Sequence, residues 1–246
     1  MFTPCAVIPV YDHEHAVGAV LRAVLAHGLP CILVDDASQP SCAALLDRLA
    51  TEHAGVMLER HAVNQGKGGA VLTGFARAAR EGYTHVLQID ADGQHDTDDI
   101  ASFLATGARH PAAVVAGCPI YDASVPKLRL YARYLTHVWV WINTLSLAIR
   151  DAMCGLRVYP IAPVLALDAR RPLGRRMNFD IEILVRLYWD GVAIVNHPTR
   201  VGYPLDGVSH FKAWLDNVLI TRMHTALFFG MLPRIPALLA RRGKGR

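Results

Sequence analysis

The sequence predicts an α/β fold in which helices cover both faces of a mostly parallel sheet. Short apolar runs alternate with segments of helical spacing through the first half of the chain. This alternation is typical of strand–helix–strand units joined by right-handed crossovers. Several of the apolar runs are followed directly by acidic residues, and the overall apolar content is 52%. A sheet that is buried on both faces requires continuous apolar strands of this kind.

Five strands are predicted in the first half, each a short apolar run. They are 6–10, 31–34, 56–59, 85–89 and 112–116. The helices between them have apolar residues three or four positions apart and end near glycine or proline. They are 14–26, 41–53, 67–80 and 97–107.

The second half changes character and is richer in aromatic residues. The pattern predicts helices over 126–149, 180–190 and 211–231, with strands over 153–159 and 192–201. We expect residues 1–211 to form one domain and 212–246 to form an amphipathic helical extension with a basic tail. The second half should cap the sheet and shape one side of a binding cleft.

Composition and charge exclude several classes of protein. The apolar content excludes a disordered chain. The net charge of +4 is too small to indicate nucleic-acid binding. The five cysteines have no zinc-site spacing, and Cys5, Cys31 and Cys118 are interpreted as reduced core residues. We expect no secretory signal, and the apolar windows 134–149 and 225–240 are shorter than the roughly 20 residues of a spanning helix.

The charged fraction is unusually low, at 19% against about 25% in soluble domains. The buried strands explain part of this shortage, but they lie mostly before residue 120. We therefore expect part of the later apolar surface to meet a lipid or a partner. Aromatic residues near Trp139 and Phe228, with the basic tail, are typical of an interfacial helix near anionic lipid. Ordinary core packing or a homo-oligomer interface explains the same pattern about equally well.

Acidic residues follow two predicted strands. Asp90 and Asp92 come just after the strand 85–89, and Asp35 and Asp36 come just after the strand 31–34. Ligands of open parallel sheets bind outside the carboxyl ends of strands, so these side chains should meet at one cleft with Tyr11. Oxygen ligands of this kind suit Mg²⁺ or Mn²⁺ together with substrate phosphates. Asp35 and Asp36 suit hydrogen bonds to a nucleobase or ribose, or equally a helix cap.

A glycine-rich loop, Asn64-Gln65-Gly66-Lys67-Gly68-Gly69, opens the helix 67–80. Glycines allow backbone N–H groups to approach an anion, and the helix start and Lys67 add positive charge. The spacing differs from that of a P-loop. A plain turn is the alternative.

Five motifs, taken together in this order, resemble the family 2 glycosyltransferases of the GT-A fold. Within that family they resemble the dolichyl- and polyprenyl-phosphate sugar synthases. The motifs are Val7-Ile8-Pro9-Val10-Tyr11-Asp12, Val34-Asp35-Asp36-Ala37-Ser38, the glycine-rich loop, Asp90-Ala91-Asp92-Gly93-Gln94-His95 and Cys154-Gly155-Leu156-Arg157. Weaker extensions are Phe179-Asp180-Ile181-Glu182 and Gly207-Val208-Ser209-His210. The resemblance implies a Rossmann-like GT-A sheet in residues 1–211 with a helical acceptor side.

The resemblance also implies roles at the site. Residues that would hold the nucleoside diphosphate sugar, a UDP- or GDP-hexose, are Pro9, Tyr11, Asp35, Asp36, Gly66, Lys67 and Asp90. Residues that would hold the metal are Asp90, Asp92, Gln94 and, as a further contact, His210. Transfer in this branch inverts the anomeric carbon, and the metal offsets charge on the leaving diphosphate. Arg157 would lie near the diphosphate or the acceptor phosphate.

Two kinds of acceptor remain open. A lipid phosphate such as polyprenyl phosphate is already an anionic nucleophile and needs cations, for which Arg129 and Arg133 are candidates at i, i+4 spacing. A hydroxyl of a glycolipid or lipophilic metabolite needs a general base, for which Asp180 and Glu182 are candidates. Each pair also has a purely structural explanation. Arg129 and Arg133 could simply lie on a solvated helix face, and Asp180 and Glu182 could simply stabilise the positive N-terminal end of a helix.

The sequence therefore predicts a cytoplasmic, metal-dependent hexosyltransferase at the inner face of the membrane. A nucleotidyltransferase and a non-catalytic nucleotide-sugar-binding protein are more distant alternatives. The former would release pyrophosphate, whereas donor hydrolysis with Mn²⁺ would exclude the latter.

Overall fold

A computed structural model describes residues 1–120, 127–202 and 213–242. Within these ranges, side chains are described except at 127–130, 132, 213 and 242. The described residues form one seven-stranded sheet with helices on both faces. The α/β prediction is therefore confirmed.

The strands of the described ranges match the predicted strands closely. They are β1 (Pro4–Val10), β2 (Cys31–Asp35), β3 (Val56–Arg60), β4 (His85–Gln88), β5 (Val114–Ile120), β6 (Arg157–Pro160) and β7 (Ile194–Arg200). Their order across the sheet is β3-β2-β1-β4-β6-β5-β7. Only β6 runs antiparallel to its neighbours, β4 and β5, among these strands.

Helices follow most strands. They are α1 (Val17–Ala26), α2 (Pro40–Glu52), α3 (Lys67–Arg80), α4 (Ile100–Arg109), α5 (Lys127–Thr144), α6 (Ile161–Arg170), α7 (Phe179–Trp189), α8 (Ala213–Met231) and α9 (Ile235–Arg242). Two short 3₁₀ turns, Thr97–Asp99 and Leu232–Arg234, precede α4 and α9.

The core consists of two apolar layers, one on each face of the sheet. Successive residues of a strand point to opposite faces, and Val7 and Ile8 of β1 accordingly belong to different layers. One layer packs β1 and β2 against α3, α6 and α7, and the other packs them against α1, α2 and α4. The sheet is therefore buried on both sides, which accounts for its continuous apolar strands.

Two elements depart from the sequence prediction. The sequence analysis assigned nothing to α6, which contains Pro163. Proline is tolerated there because N–H groups of a first helical turn need no partner within the helix. Helix α5 ends at Thr144 rather than at 149, because Leu145 takes a left-handed conformation with φ 50°.

The C-terminal helices extend further than the sequence predicts. One helical run, Trp214–Arg241, is 28 residues long, and an 18-residue window within it has a mean hydropathy of 1.2. It is the one helix of the described ranges that is long and apolar enough, by length and composition alone, to cross a membrane. The expectation that no segment reaches this length is wrong, because Pro233 lies in the first turn of a 3₁₀ segment and the helix continues past it.

This run also packs against the sheet domain. Met223, Leu227, Met231 and Leu238 are buried in the same apolar layer as α7. The Arg241 guanidinium donates hydrogen bonds to the carbonyl oxygens of Tyr188 and Trp189, at 2.6 and 3.0 Å. The run is thus docked along one side on the domain that carries α7.

Candidate active site

The carboxyl ends of the parallel strands gather polar residues at one edge of the sheet. Asp35 pairs with Val10 across β1 and β2, and Gln88 pairs with Val7. Because β6 runs antiparallel, its first residue, Arg157, lies opposite Gln88 at this same edge. The motif that begins β6 therefore reaches the edge predicted to hold the cleft.

Asp36 organises the glycine-rich loop. Its Oδ1 accepts hydrogen bonds from the N–H of Gln65 and from Nδ1 of His61, both at 2.7 Å, and its Oδ2 accepts one from the N–H of Gly66 at 2.8 Å. Neighbouring Asp35 pairs with Arg60 at 2.7 Å. Both carboxylates are almost fully buried. They fix the rim beside which Pro9 and Tyr11 lie half-buried.

The glycines of this loop serve a close approach between two segments. A Cβ on Gly66 would lie 2.6 Å from the Arg175 carbonyl oxygen, and one on Gly68 would lie 2.5 Å from Cβ of Phe179. Gly66 also has a φ of 88°, which favours glycine. The N–H of Gly69 donates a hydrogen bond to the carbonyl oxygen of Arg175 at 3.0 Å. The N–H groups of Gln65, Gly66 and Gly69 thus donate to Asp36 and Arg175 within the protein.

Lys67 bridges two carboxylates at the start of α3. Its Nζ lies 2.8 Å from Oδ2 of Asp90 and 2.7 Å from Oδ2 of Asp180. Burial disfavours the charge on Lys67, but the two carboxylates outweigh it and raise the pKa of the ammonium above its ordinary value. Burial likewise opposes ionisation of Asp90, yet Lys67 and His95 hold the pKa of this carboxyl below its usual range. Lys67, Asp90 and Asp180 therefore form a largely buried cluster of one ammonium and two carboxyl groups.

The acidic loop after β4 offers oxygen ligands. The N–H of Gln94 donates to Oδ1 of Asp92 at 3.0 Å, which fixes the turn of the loop. Oδ1 of Asp90 is buried and has no hydrogen-bond partner within the described ranges. An unpartnered carboxylate oxygen is costly unless a cation or donor completes it. Gly155 closes the other side, since a Cβ there would lie 2.0 Å from Oδ2 of Asp90.

The donor set fits a divalent metal that also binds phosphate. Within the described ranges, no three His, Cys, Asp or Glu side chains are arranged to hold a metal by themselves. Mg²⁺ and its analogues usually use one or two carboxylates together with substrate phosphates and water. Asp90 and Asp92 are two carboxylates of one loop, and Oδ1 of Asp90 has no hydrogen-bond partner in the described ranges.

Asp180 and Glu182 both lie in the first turn of α7, and each has both carboxylate oxygens engaged. Asp180 accepts from Lys67 on Oδ2 and from Nε2 of Gln88 on Oδ1 at 3.1 Å. Glu182 accepts from the N–H of Gly174 at 2.9 Å and from Nη1 of Arg186 at 3.0 Å. Both are therefore held in fixed hydrogen-bond networks.

Arg157 lies beneath the site rather than in the cleft. Its side chain is completely buried, and Nη1 donates to the Asp180 carbonyl oxygen at 2.7 Å and to the Tyr159 hydroxyl at 2.8 Å. Burial raises the pKa of Tyr159 to about 12, so that this hydroxyl stays protonated. The guanidinium therefore supports Asp180 from below.

The predicted acceptor cations lie on α5. Arg133 makes a two-pronged ion pair with buried Asp151, with both contacts at 2.7 Å. Oδ1 of Asp151 also accepts from the N–H of Cys154 at 2.8 Å, which places Arg133 beside the loop that carries Gly155. The side chain of Arg129 lies outside the described side chains. His210, the further metal candidate, lies outside the described residues together with its motif.

Sequence reasoning missed three residues that support the site. They are His61, Gln88 and Tyr159, all of which lie at or beside the polar edge. Gln88 carried a signal, because a polar residue inside an otherwise apolar strand requires a buried partner. His61 also carried one, since it lies two residues after the predicted strand 56–59, as Asp36 does after 31–34.

Comparison with known families identifies the class of protein. Residues 5–158 match the family described as glycosyl transferase family 2. The match covers more than half of the chain, and the chain belongs to this family. It is a glycosyltransferase.

Curated relatives act on lipid phosphates according to their names. The chain is 27% identical over 207 residues to polyprenol monophosphomannose synthase of Mycolicibacterium smegmatis, covering 78% of this chain and 74% of the relative. It is 24% identical over 205 residues to undecaprenyl-phosphate mannosyltransferase of Micrococcus luteus, covering 78% and 80%. A dolichyl-phosphate N-acetylglucosaminyltransferase of Methanococcus voltae is 26% identical, covering 62% and 67%.

Solved structures show the same fold. Glucosyl-3-phosphoglycerate synthase of Mycobacterium tuberculosis superposes with a TM-score of 0.67 at 15% identity, covering 95% of this chain and 80% of that one. The same enzyme in complex with Mn²⁺ and UDP-glucose gives a TM-score of 0.68 at 14% identity, covering 94% and 79%. At these identities the likeness shows the fold alone, which is the GT-A fold that the sequence predicts.

Proposed function

We propose that this glycosyltransferase is metal-dependent and inverting, and that it transfers a hexose from a nucleoside diphosphate sugar to a lipid-linked phosphate, polyprenyl phosphate being the favoured acceptor. The names of the curated relatives support a lipid-phosphate acceptor. The observation that carries the choice of a phosphate over a hydroxyl comes from α7.

The two candidate bases are both occupied by other groups. A hydroxyl acceptor must lose its proton to a positioned base, and a good base has an oxygen available to receive it. Asp180 and Glu182 each accept hydrogen bonds on both oxygens, and the Lys67 ammonium forms an ion pair with Asp180. A phosphate acceptor is ionised before it arrives and requires no base. The occupied carboxylates therefore favour the phosphate.

On the donor side, Asp90, Asp92 and Gln94 would hold Mg²⁺ or Mn²⁺. When bound, this ion offsets charge that develops on the leaving diphosphate. Pro9, Tyr11 and the rim fixed by Asp35 and Asp36 would hold the nucleoside of a UDP- or GDP-hexose. Gly66 and Lys67 would line the path of the diphosphate between that rim and Asp90.

On the acceptor side, we retain Arg129 and Arg133 as cations for the acceptor phosphate. Asp151 fixes the Arg133 guanidinium beside the Gly155 loop, and Gly155 lies against Asp90. The arginine is thereby held on the side of the cleft where α5 begins. Inversion requires the acceptor phosphate to approach the sugar from the side opposite the diphosphate, and in this proposal Arg133 would hold it there.

The apolar faces of α5 and α8 would rest on the cytoplasmic face of the membrane. Their outer surfaces expose Tyr131, Leu135, Trp214 and Phe229, with Trp214 85% exposed. Arg222 also lies on the exposed side of α8, and cations beside exposed aromatic residues favour an anionic lipid surface. We accordingly propose that residues 212–246 act as an interfacial extension of the catalytic domain 1–211.

The acceptor is tested by offering matched substrates. The purified chain is given Mn²⁺ and each of a panel of UDP- and GDP-hexoses, with either a short polyprenyl phosphate or the corresponding polyprenol. We expect one donor to raise the melting temperature and to yield a glycosylated phosphate with inverted anomeric configuration by NMR. Glycosylation of the polyprenol in preference to the phosphate would contradict the proposal.

Membrane contact is tested separately by sedimentation with anionic vesicles. Trp214→Ser with Phe229→Ser should reduce the bound fraction severalfold, because both side chains are exposed on α8. Val63→Ser is the matched control, since Val63 is 69% exposed in the loop before α3. Equal binding of the α8 variant and the control would refute the interfacial assignment.

A further inference from the structure

Lys67 occupies an unusual position between the two halves of the site. Its ammonium contacts Asp90, on the metal side, and Asp180, on α7, at nearly equal distances of 2.8 and 2.7 Å. The Lys67 side chain is only 15% exposed. A buried ammonium with two equivalent partners can lose one of them and still keep a counter-ion.

Asp180 is held in place independently of Asp90. Gln88 donates to its Oδ1 at 3.1 Å, and Arg157 donates to its main-chain oxygen at 2.7 Å. Both supporting side chains are completely buried. Asp180 therefore remains a fixed partner for Lys67 when Asp90 changes its ligand.

Asp90 is held less completely. Oδ2 of Asp90 forms an ion pair with the Lys67 ammonium and lies 3.8 Å from Nε2 of His95. Oδ1 of Asp90 is buried and has no hydrogen-bond partner in the described ranges. A divalent cation bound to this carboxylate would lie close to the ammonium and repel it. Lys67 and the metal thus compete for the same negative charge.

We propose that Lys67 is a positioning residue that neutralises Asp90 in the metal-free enzyme and shifts its ion pair to Asp180 when a divalent cation binds Asp90. This inference rests on the proposed metal dependence and adds to it a role for Asp180. In this role Asp180 is the counter-ion that receives Lys67, rather than a base. It keeps the ammonium buried and paired in both states.

The test measures binding of Mn²⁺ alone, by electron paramagnetic resonance of the free ion, to the full chain. The decisive variant combines Lys67→Met with Asp180→Asn. It removes one positive and one negative charge, so that the net charge of the cluster stays at that of the wild type. A change in Mn²⁺ affinity then reports competition by Lys67 and not the net charge around the metal.

We expect the double variant to bind Mn²⁺ about fivefold more tightly than the wild type, because Lys67 no longer competes. Asp180→Asn alone should weaken binding about fivefold, because Lys67 then pairs with Asp90 only. Lys67→Arg should keep the wild-type affinity. Glu182→Gln is the control, since Glu182 lies on the same helical turn and pairs with Arg186.

Thermal melts and circular dichroism establish that each variant is folded. A double variant that is folded and has the wild-type affinity would overturn the competition while leaving the metal site intact. A wild-type chain that binds no Mn²⁺ would overturn both this inference and the proposed metal dependence. The inference would also be refuted if Asp180→Asn weakened Mn²⁺ binding equally in the chain with Lys67 and in the Lys67→Met variant.

Discussion

Replacing Gly155 with alanine tests how tightly the loop before β6 holds the acidic loop. The added Cβ would lie 2.0 Å from Oδ2 and 2.4 Å from Cγ of Asp90. Non-bonded heavy atoms pack at about 3.5 Å or more, so the carboxylate must retreat by about 1.5 Å. That shift breaks the 2.8 Å hydrogen bond from Lys67, because hydrogen bonds of this kind do not extend much beyond 3.2 Å.

The size of the effect follows from these two changes. Overpacking a buried site costs about 1–3 kcal/mol, and losing a hydrogen bond to a charged group costs about 1.5–3 kcal/mol. A loss of about 3 kcal/mol would lower the melting temperature of a chain of this size by about 6–12 °C. Displacement of Asp90 should also weaken metal-dependent nucleotide binding by at least about tenfold, which corresponds to about 1.4 kcal/mol.

The assay is calorimetric binding of UDP and GDP with Mn²⁺, together with a thermal melt. Gly18→Ala is the control, because its Cβ would meet only the tip of Arg22 at 3.5 Å. Alanine at that helical position should leave binding unchanged and stabilise the protein by about 0.5–1 kcal/mol. Wild-type nucleotide affinity and stability in Gly155→Ala would refute the packing argument.

Three further predictions concern the charged residues. Asp92→Ala should abolish Mn²⁺-dependent nucleotide binding in calorimetry, and unchanged affinity would exclude Asp92 as a metal ligand. His137 and Arg133 outweigh the cost of burial and hold the pKa of Asp151 below its usual range, so the stability it provides is present above about pH 3.8 and is lost as the pH falls further. Asp151→Asn should cost about 3 kcal/mol at pH 7 and flatten the acid limb of urea unfolding, whereas an unaltered limb would contradict this. Arg157→Met should cost about 3–5 kcal/mol in the same urea experiment, because it leaves buried acceptors unpaired, and a loss below about 1 kcal/mol would show that the guanidinium supports little.

The sequence predicted the sheet well because its strands are marked both by continuous apolar runs and by the residues that follow those runs. Three of the five apolar runs of the first half are followed directly by an acid or glycine, and the parallel register of β1, β2, β3 and β4 brings the ends of those strands to one edge. The metal loop was predictable for the same reason, since Asp90 directly follows such a run.

Partnerships between distant residues were not predictable. The sequence shows Lys67 beside glycines and Asp180 at a helix start, but it does not show that residues 68–179 bring these two side chains into contact. Arg157 looked like a residue of the cleft because its motif did, yet its side chain is completely buried and donates hydrogen bonds to Tyr159 and Asp180. The packing of the glycine-rich loop against Arg175 and Phe179 was likewise not predictable from the sequence.

Helix α7 connects the candidate active site with the C-terminal helices. It is 11 residues long, which makes it a rod of about 16 Å. Asp180 in its first turn contacts Lys67. At its last turn, Arg241 donates hydrogen bonds to the carbonyl oxygens of Tyr188 and Trp189, and the Arg234 guanidinium stacks over the Trp189 ring at 4.8 Å. A ligand that steadies either end steadies the same rod. Vesicles and nucleotide should therefore each lower the rate at which α7 amides exchange with solvent, and each should tighten the binding of the other.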